Sequence, residues 1–172
     1  MRVGFGYDSH RFADCGAGFP ETVAGQKLGG VEIPGCPKLK GHSDADVLLH
    51  AVTDAIFGAA AMGDIGSHFP DTDPRWKGAD SAMLLAAAVR EASDAGYAVV
   101  NVDATVICER PKIRPHADAI RSRIAGILHM PAGAVSVKGK TNEGMDAVGE
   151  GLGIAVHAAV LLENTAAKAG RS

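Results

Sequence analysis

The stretch Ser43-Asp44-Ala45-Asp46-Val47-Leu48-Leu49-His50-Ala51-Val52-Thr53-Asp54-Ala55-Ile56 decides how the rest of the chain is read. Val47, Leu48, Ala51, Val52, Ala55 and Ile56 recur at helical spacing and form an apolar stripe. Ser43 with Asp46 three residues on resembles a capping box, Asp standing where Glu is usual. A helix therefore opens here, and the chain leaves it near Gly63. Asp46, His50 and Asp54 follow one another at intervals of four, so one face of an otherwise apolar helix carries a polar row.

Upstream, Arg2 to Asp8 alternates in character and reads as a strand. Gly4-Phe5-Gly6 is no dinucleotide fingerprint, because no helix follows and the third glycine is missing; the two glycines are predicted to let another backbone come close. Side chains two apart on an extended segment share a side, so Asp8 and His10 converge, and His50 closes the triangle from the helix. Taken singly, each has a plainer reading: a turn aspartate, an exposed histidine, a hydrogen-bonded core histidine. Together, two imidazoles and a carboxylate suit zinc and leave a fourth position open, which points to a catalytic site. Asp54, one turn from His50, is the expected partner that fixes the ring's tautomer; Asp46 reads as a cap.

Downstream, a loop over 64–74 leads to a helix over 79–95 stopped by Gly96, a strand over 99–108, and a Pro-stiffened loop over 110–115. Pro115 is placed to start a third helix ending near Met130, and strands follow over 134–140 and 153–162. Residues 11–42 are rich in Gly and Pro, with a short strand near 30–33. Strands and helices alternate without repeats or linkers, which predicts one domain with helices packed on a sheet over 1–163 and a flexible tail over 164–172.

A chain of 172 residues with 47% hydrophobic content is the size of one domain with a real core. A net charge of -3 argues against a nucleic-acid or membrane surface. Three cysteines (Cys15, Cys36, Cys108) without a Cys-x-x-Cys fit a reducing cytoplasm, and neither a signal peptide nor a membrane span is expected.

Other residues carry chemistry less decisively. His42 and Ser43, just before the helix, are either a capping pair or a phosphate site at a helix N-terminus. Asp64-Ile65-Gly66 and Asp71-Thr72-Asp73 are solvated turns or acceptors for polyol hydroxyls. Cys108 to Arg114 is an ordinary connection or a loop that reads a base with main-chain groups. Lys140-Thr141-Asn142-Glu143 is a turn, or binds phosphate through Thr141 and a second cation through Glu143.

The runs from Gly4 to His10, Gly41 to His50, Gly63 to Gly66 and Phe69 to Pro74 resemble the 2-C-methyl-D-erythritol 2,4-cyclodiphosphate synthases, the IspF family, over about Arg2 to Leu162. The resemblance implies a phosphorus–oxygen lyase of the non-mevalonate isoprenoid pathway. Its substrate would be 4-diphosphocytidyl-2-C-methyl-D-erythritol 2-phosphate, its products the cyclodiphosphate and CMP. It implies zinc plus magnesium or manganese, and a homotrimer with active sites between subunits. The implied fold is α+β, a mixed sheet with helices on one side, like the trimeric chorismate mutase of Bacillus type. Carried over by position, Asp8, His10 and His50 hold zinc, and Asp8, Ser9, His10, His42 and Ser43 line the substrate site. His42 and Thr141 would stabilise the transition state. Asp64, Ile65, Gly66, Phe69, Pro70, Asp71, Thr72 and Asp73 would hold ribose and the methylerythritol unit. Cys108, Glu109, Arg110, Pro111, Lys112, Ile113 and Arg114 would read cytosine. Lys140, Thr141, Asn142 and Glu143 would meet phosphate, with Glu143 on the second cation. One stretch departs from the family: Met145 to Gly153 lacks an arginine that would face the trimer's central cavity. Either Glu150 occupies its position or the turn is two residues shorter, and the resemblance then predicts poor anion binding in that cavity. The 11–30 region is longer than in the family's shorter members, and the resemblance implies an extended hairpin there.

Overall fold

The computed structural model describes residues 1–13 and 25–165. Its centre is helix α1 (Val47–Ala60), buried nearly all round rather than along a stripe: Leu49, Thr53 and Phe57 are covered as fully as Val47, Leu48 and Ile56. Thr53 tolerates this because its hydroxyl donates to the Leu49 carbonyl at 2.8 Å.

Strand β1 (Arg2–Arg11) lies directly on α1. The expected close approach is present: a methyl on Gly4 would fall 1.9 Å from the Ala55 carbonyl oxygen, and one on Gly6 would fall 1.9 Å from that of Ala51. Only glycine lets strand and helix backbones meet so closely. A short hairpin, β2 (Gln26–Leu28) with β3 (Val31–Ile33), occupies the place of the strand expected near 30–33. The rest of the expected hairpin, over 14–24, lies outside the described residues.

After α1 come the short α2 (Ile65–His68), then α3 (Ser81–Asp94), β4 (Tyr97–Ile107), α4 (Ala117–Ile127), β5 (Val135–Lys140), the short α5 (Asp146–Gly149) and β6 (Gly153–Asn164). Strand order is β1-β6-β4-β5. The β1/β6 and β6/β4 pairs are antiparallel; β4 and β5 are parallel, joined through α4. The fold is thus α+β, a mixed sheet with helices on one side.

Three expectations need correction. The capping-box pattern puts the cap of α1 at Ser43, but it is Asp46, its other reading, that caps the helix: its carboxylate accepts Leu49 N–H at 3.1 Å and also the amides of Gly29 and Gly30. The third helix begins at Ala117, and Pro115 sits in a 3-10 turn ahead of it. Asn164 does not fray: it ends β6 opposite Tyr97, and Thr165 N–H donates to the Gly96 carbonyl. Residues 166–172 lie outside the described chain.

Among the described residues nothing covers the other face of the sheet. Val3, Phe5 and Tyr7 are 75%, 64% and 50% exposed, in line with the alternation that buries Gly4 and Gly6. They pair with Leu161, Ala159 and His157 of β6, and the His157 ring lies 5.0 Å from that of Tyr7.

Candidate active site

The backbone contact between β1 and α1 determines the site. It brings Asp8 and His10, on one side of the strand, against His50 on the helix. His10 Nε2 lies 3.1 Å from Asp8 Oδ2, His50 Nδ1 lies 3.0 Å from the same oxygen, and the two ring nitrogens are 3.3 Å apart. Zinc bonds of 2.0–2.2 Å in a tetrahedron set ligand atoms about 3.3 Å apart, so this triangle has the size of one zinc face. Within the described residues it is the one His/Cys/Asp/Glu group whose ligand atoms converge in this way. Each donor is aimed from behind. His10 Nδ1 sits 2.7 Å from the Lys40 carbonyl, which fixes its N–H there and turns the Nε2 lone pair inward. Asp8 Oδ1 accepts the Ser9 amide at 2.8 Å, leaving Oδ2 for the centre. His50 Nε2 faces two hydroxyls, Ser81 Oγ at 2.9 Å and Ser43 Oγ at 3.1 Å.

Electrostatics follow from this crowding. Burial pushes the Asp8 carboxyl up, but the hydrogen bonds and charge of His10 and His50 outweigh it and hold it well below the usual carboxylate range. Burial lowers His10, but its bond to Asp8 wins and raises it.

Asp54 does not serve the ring as expected. Its Oδ1 accepts the Ile65 amide at 2.7 Å, tying the start of α2 to α1. Burial raises its pKa in spite of that bond. At the α1 N-terminus the buried Asp46 carboxylate takes the Leu49 amide, while His42 and Ser43 line the cavity beside it.

A cavity of roughly 410 Å³ opens beside the triad, lined by His10, His42, Ser43, His50, Ile65, Gly66, Phe69, Pro70 and Asp71 among the expected residues. Trp76 and Leu84 also line it, and sequence reasoning missed both; that Trp76 is the chain's one tryptophan was the available signal. Asp64 and Asp73 turn to local work: Asp64 caps α2 through Ser67, and Asp73 binds Arg75 at 2.6 Å. Among the described cavity walls they do not appear, nor does Thr72.

The remaining candidates form a second pocket of roughly 120 Å³, lined by Cys108, Pro111, Lys112, Ile113, Arg114, Lys140 and Thr141. Cys108 and Ile113 are core residues, and burial pushes the Cys108 thiol up to about 12, so it is a neutral wall. Glu109 accepts the Asn142 amide at 2.9 Å, joining the two loops, and Thr141 donates to Glu143 at 2.9 Å. Ser9, Ala155, Ile107 and Lys140 form one row across the sheet. Three strand spacings put its ends about 14 Å apart. The two pockets therefore rise from the same end of the sheet, at opposite edges. Glu150, at the C-terminus of α5, is exposed.

The YgbB family model matches residues 1–163. The 2-C-methyl-D-erythritol 2,4-cyclodiphosphate synthase of Salinibacter ruber is 54% identical over 164 residues, 95% of this chain and 99% of that protein. A 2C-methyl-D-erythritol-2,4-cyclodiphosphate synthase solved in its CDP-bound form superposes with a TM-score of 0.82 at 34% identity, covering 94% of this chain and all of the other (100%). The CDP complex of IspF from Plasmodium falciparum gives 0.79 at 33% identity, covering 95% of this chain and 96% of the other.

Proposed function

This chain belongs to the YgbB family, and from that premise we propose that it converts 4-diphosphocytidyl-2-C-methyl-D-erythritol 2-phosphate to 2-C-methyl-D-erythritol 2,4-cyclodiphosphate and CMP. The observation that carries the reading is the Asp8, His10 and His50 triangle beside a cavity walled by His42 and Ser43. It occurs in a chain 54% identical to a protein named for that product.

The reaction is a phosphoryl transfer within one molecule. An oxygen of the 2-phosphate bonds to the β-phosphorus, the bond from that phosphorus to the oxygen of CMP breaks, and CMP departs as the anion. The obstacle is that one anion approaches another, so positioning and charge stabilisation do the catalysis. Asp8, His10 and His50 would hold zinc and Glu143 a magnesium or manganese ion, which supply Lewis acidity to phosphate oxygens. His42 and Thr141 donate hydrogen bonds to oxygens that gain charge as the β-phosphorus is attacked. Ile65, Gly66, Phe69 and Asp71 wall the polyol, Asp71 accepting from a hydroxyl. Pro111 to Arg114 bind the cytosine end.

The two pockets at opposite sheet edges lead to the assembly: three copies associate through the bare face of Val3, Phe5 and Tyr7, in the manner of the trimeric chorismate mutase. Each active site then takes its triad from one copy and its Thr141 and Glu143 from the next. The setting is the cytoplasm; no described helix is long and apolar enough to cross a membrane.

Phosphorus NMR of the turnover mixture tests the reading. The expected products are a cyclic diphosphate with CMP. Free phosphorylated polyol with CMP would instead mark a zinc hydrolase using the same ligands to activate water.

A further inference from the structure

Behind His50 runs a chain of hydrogen bonds whose direction is fixed from its far end. Asp44 Oδ1 accepts the Ser81 amide at 3.3 Å and the Ser81 hydroxyl. Its Oδ2 is buried without a hydrogen-bond partner and faces Lys27 Nζ at 3.6 Å, and Lys27 is held in turn by Asp80 at 3.1 Å. A carboxylate beside an ammonium accepts and does not donate. The fully buried Ser81 hydroxyl must therefore give its single proton to Asp44. Its lone pair is then all it can offer His50 Nε2, 2.9 Å away. His50 must carry its proton on Nε2, and Nδ1 is left with a lone pair facing Asp8 and His10.

We propose that Asp44 and Ser81 are positioning residues that lock His50 in the metal-ready tautomer. One consequence falls on Ser43. With Nε2 protonated, the Ser43 hydroxyl can only accept from the ring, as it already does from the Ala45 amide at 3.2 Å. Its own proton is free to point into the cavity, where it donates to an anionic ligand oxygen.

The inference rests on the reading of Asp8, His10 and His50 as metal ligands, and the test separates the two. Zinc affinity is measured by competition with a chromogenic chelator for the full chain, Ser81→Ala, Ser81→Thr and Asp44→Ala. Circular dichroism checks folding, and the visible spectrum of the cobalt form reports ligand geometry. Ser81→Ala is expected to bind zinc about 10- to 100-fold more weakly, with an altered cobalt spectrum, as for other groups that orient a ligand histidine. Ser81→Thr keeps the hydroxyl and restores affinity to within about threefold on the same argument. Asp44→Ala removes the acceptor, frees Ser81 to turn its proton to His50, and weakens zinc by about tenfold or more. This variant decides the matter if Ser81→Ala does not fold. Unchanged zinc affinity in Ser81→Ala and Asp44→Ala overturns the inference, as does a Ser81→Thr as weak as Ser81→Ala. An unmodified protein that binds no zinc overturns the metal reading itself.

Discussion

Gly6 and Ala51 meet backbone to backbone, so that a methyl group on Gly6 would lie 1.9 Å from the Ala51 carbonyl oxygen. Two residues after Gly6 comes Asp8; one residue before Ala51 comes His50. The contact that lets strand and helix touch is thus the contact that closes the Asp8, His10 and His50 triangle. Gly6→Ala must push β1 off α1. Overpacking of this kind costs about 1–3 kcal/mol or more. We expect a lower urea midpoint and, in the protein that remains folded, weaker zinc binding. Wild-type values for both would contradict the link between packing and site.

Zinc and protons compete for the same nitrogens, which gives a signed pH dependence. His10 is raised in the folded state by its bond to Asp8. In the metal-free protein its contribution is therefore complete below the unfolded value of 6.5 and is lost as pH rises through the raised folded value. Asp8 is depressed, so its contribution is present above 3.8 and is lost as pH falls through the folded value. Zinc needs His10 deprotonated. The rise in melting temperature on adding zinc should accordingly be small near about pH 5.5 and larger near about pH 8. Melting curves with and without zinc across that range check it; a zinc effect independent of pH would speak against His10 as a ligand.

Much of this was legible in the chain, and what was missed shares a cause. The long strands and helices announce themselves by period, and the Asp8, His10, His50 triangle follows from same-side geometry on a strand and one turn of a helix. Four-residue helices such as 65–68 and 146–149 have no period to read. Ser43 and Asp46 both fit a cap pattern; the choice fell to Asp46 because Gly29 and Gly30, from a distant turn, bring it two further amides. Spacing put Asp54 beside His50, but spacing cannot show that the Ile65 amide competes for it. Asp44 and Ser81 are 37 residues apart and meet only through the packing of α3 on the start of α1. Local pattern reveals what one element presents, and long-range contacts decide which partner it takes.

Subunit mixing tests whether the two pockets complete one another across an interface. His10→Ala and Glu143→Ala are each expected to be inactive alone. Unfolded together and refolded as mixed trimers, a site built from two copies is intact when the triad comes from one variant and Glu143 from the other. Random association in a closed ring gives about a quarter of wild-type activity. A site contained in one chain would recover nothing.

His42→Ala and Thr141→Ala should each lower kcat by about 100- to 1,000-fold with little change in KM, the loss seen when one preorganised donor to developing charge is removed. Steady-state kinetics with zinc content measured in parallel separate this from metal loss. A rise in KM at constant kcat would make these residues ground-state binders.

His68 anchors one wall of the cavity. Its ring stacks on Phe57 at 3.9 Å and 8° between planes, Nε2 meets the Met62 carbonyl at 2.8 Å, and Nδ1 meets Glu91 of α3 at 2.9 Å. The next residue, Phe69, lines the cavity and packs edge-on against Trp76. His68→Ala removes all three ties at once, at about 1–3 kcal/mol for the polar groups left unpaired. The metal triangle, built from β1 and α1, does not depend on them. Substrate KM should therefore rise several-fold while zinc affinity holds, and Glu91→Gln, which keeps a hydrogen-bond acceptor, should show a smaller effect. Equal losses of zinc and substrate binding in His68→Ala would mean that the wall and the metal centre are one cooperative unit.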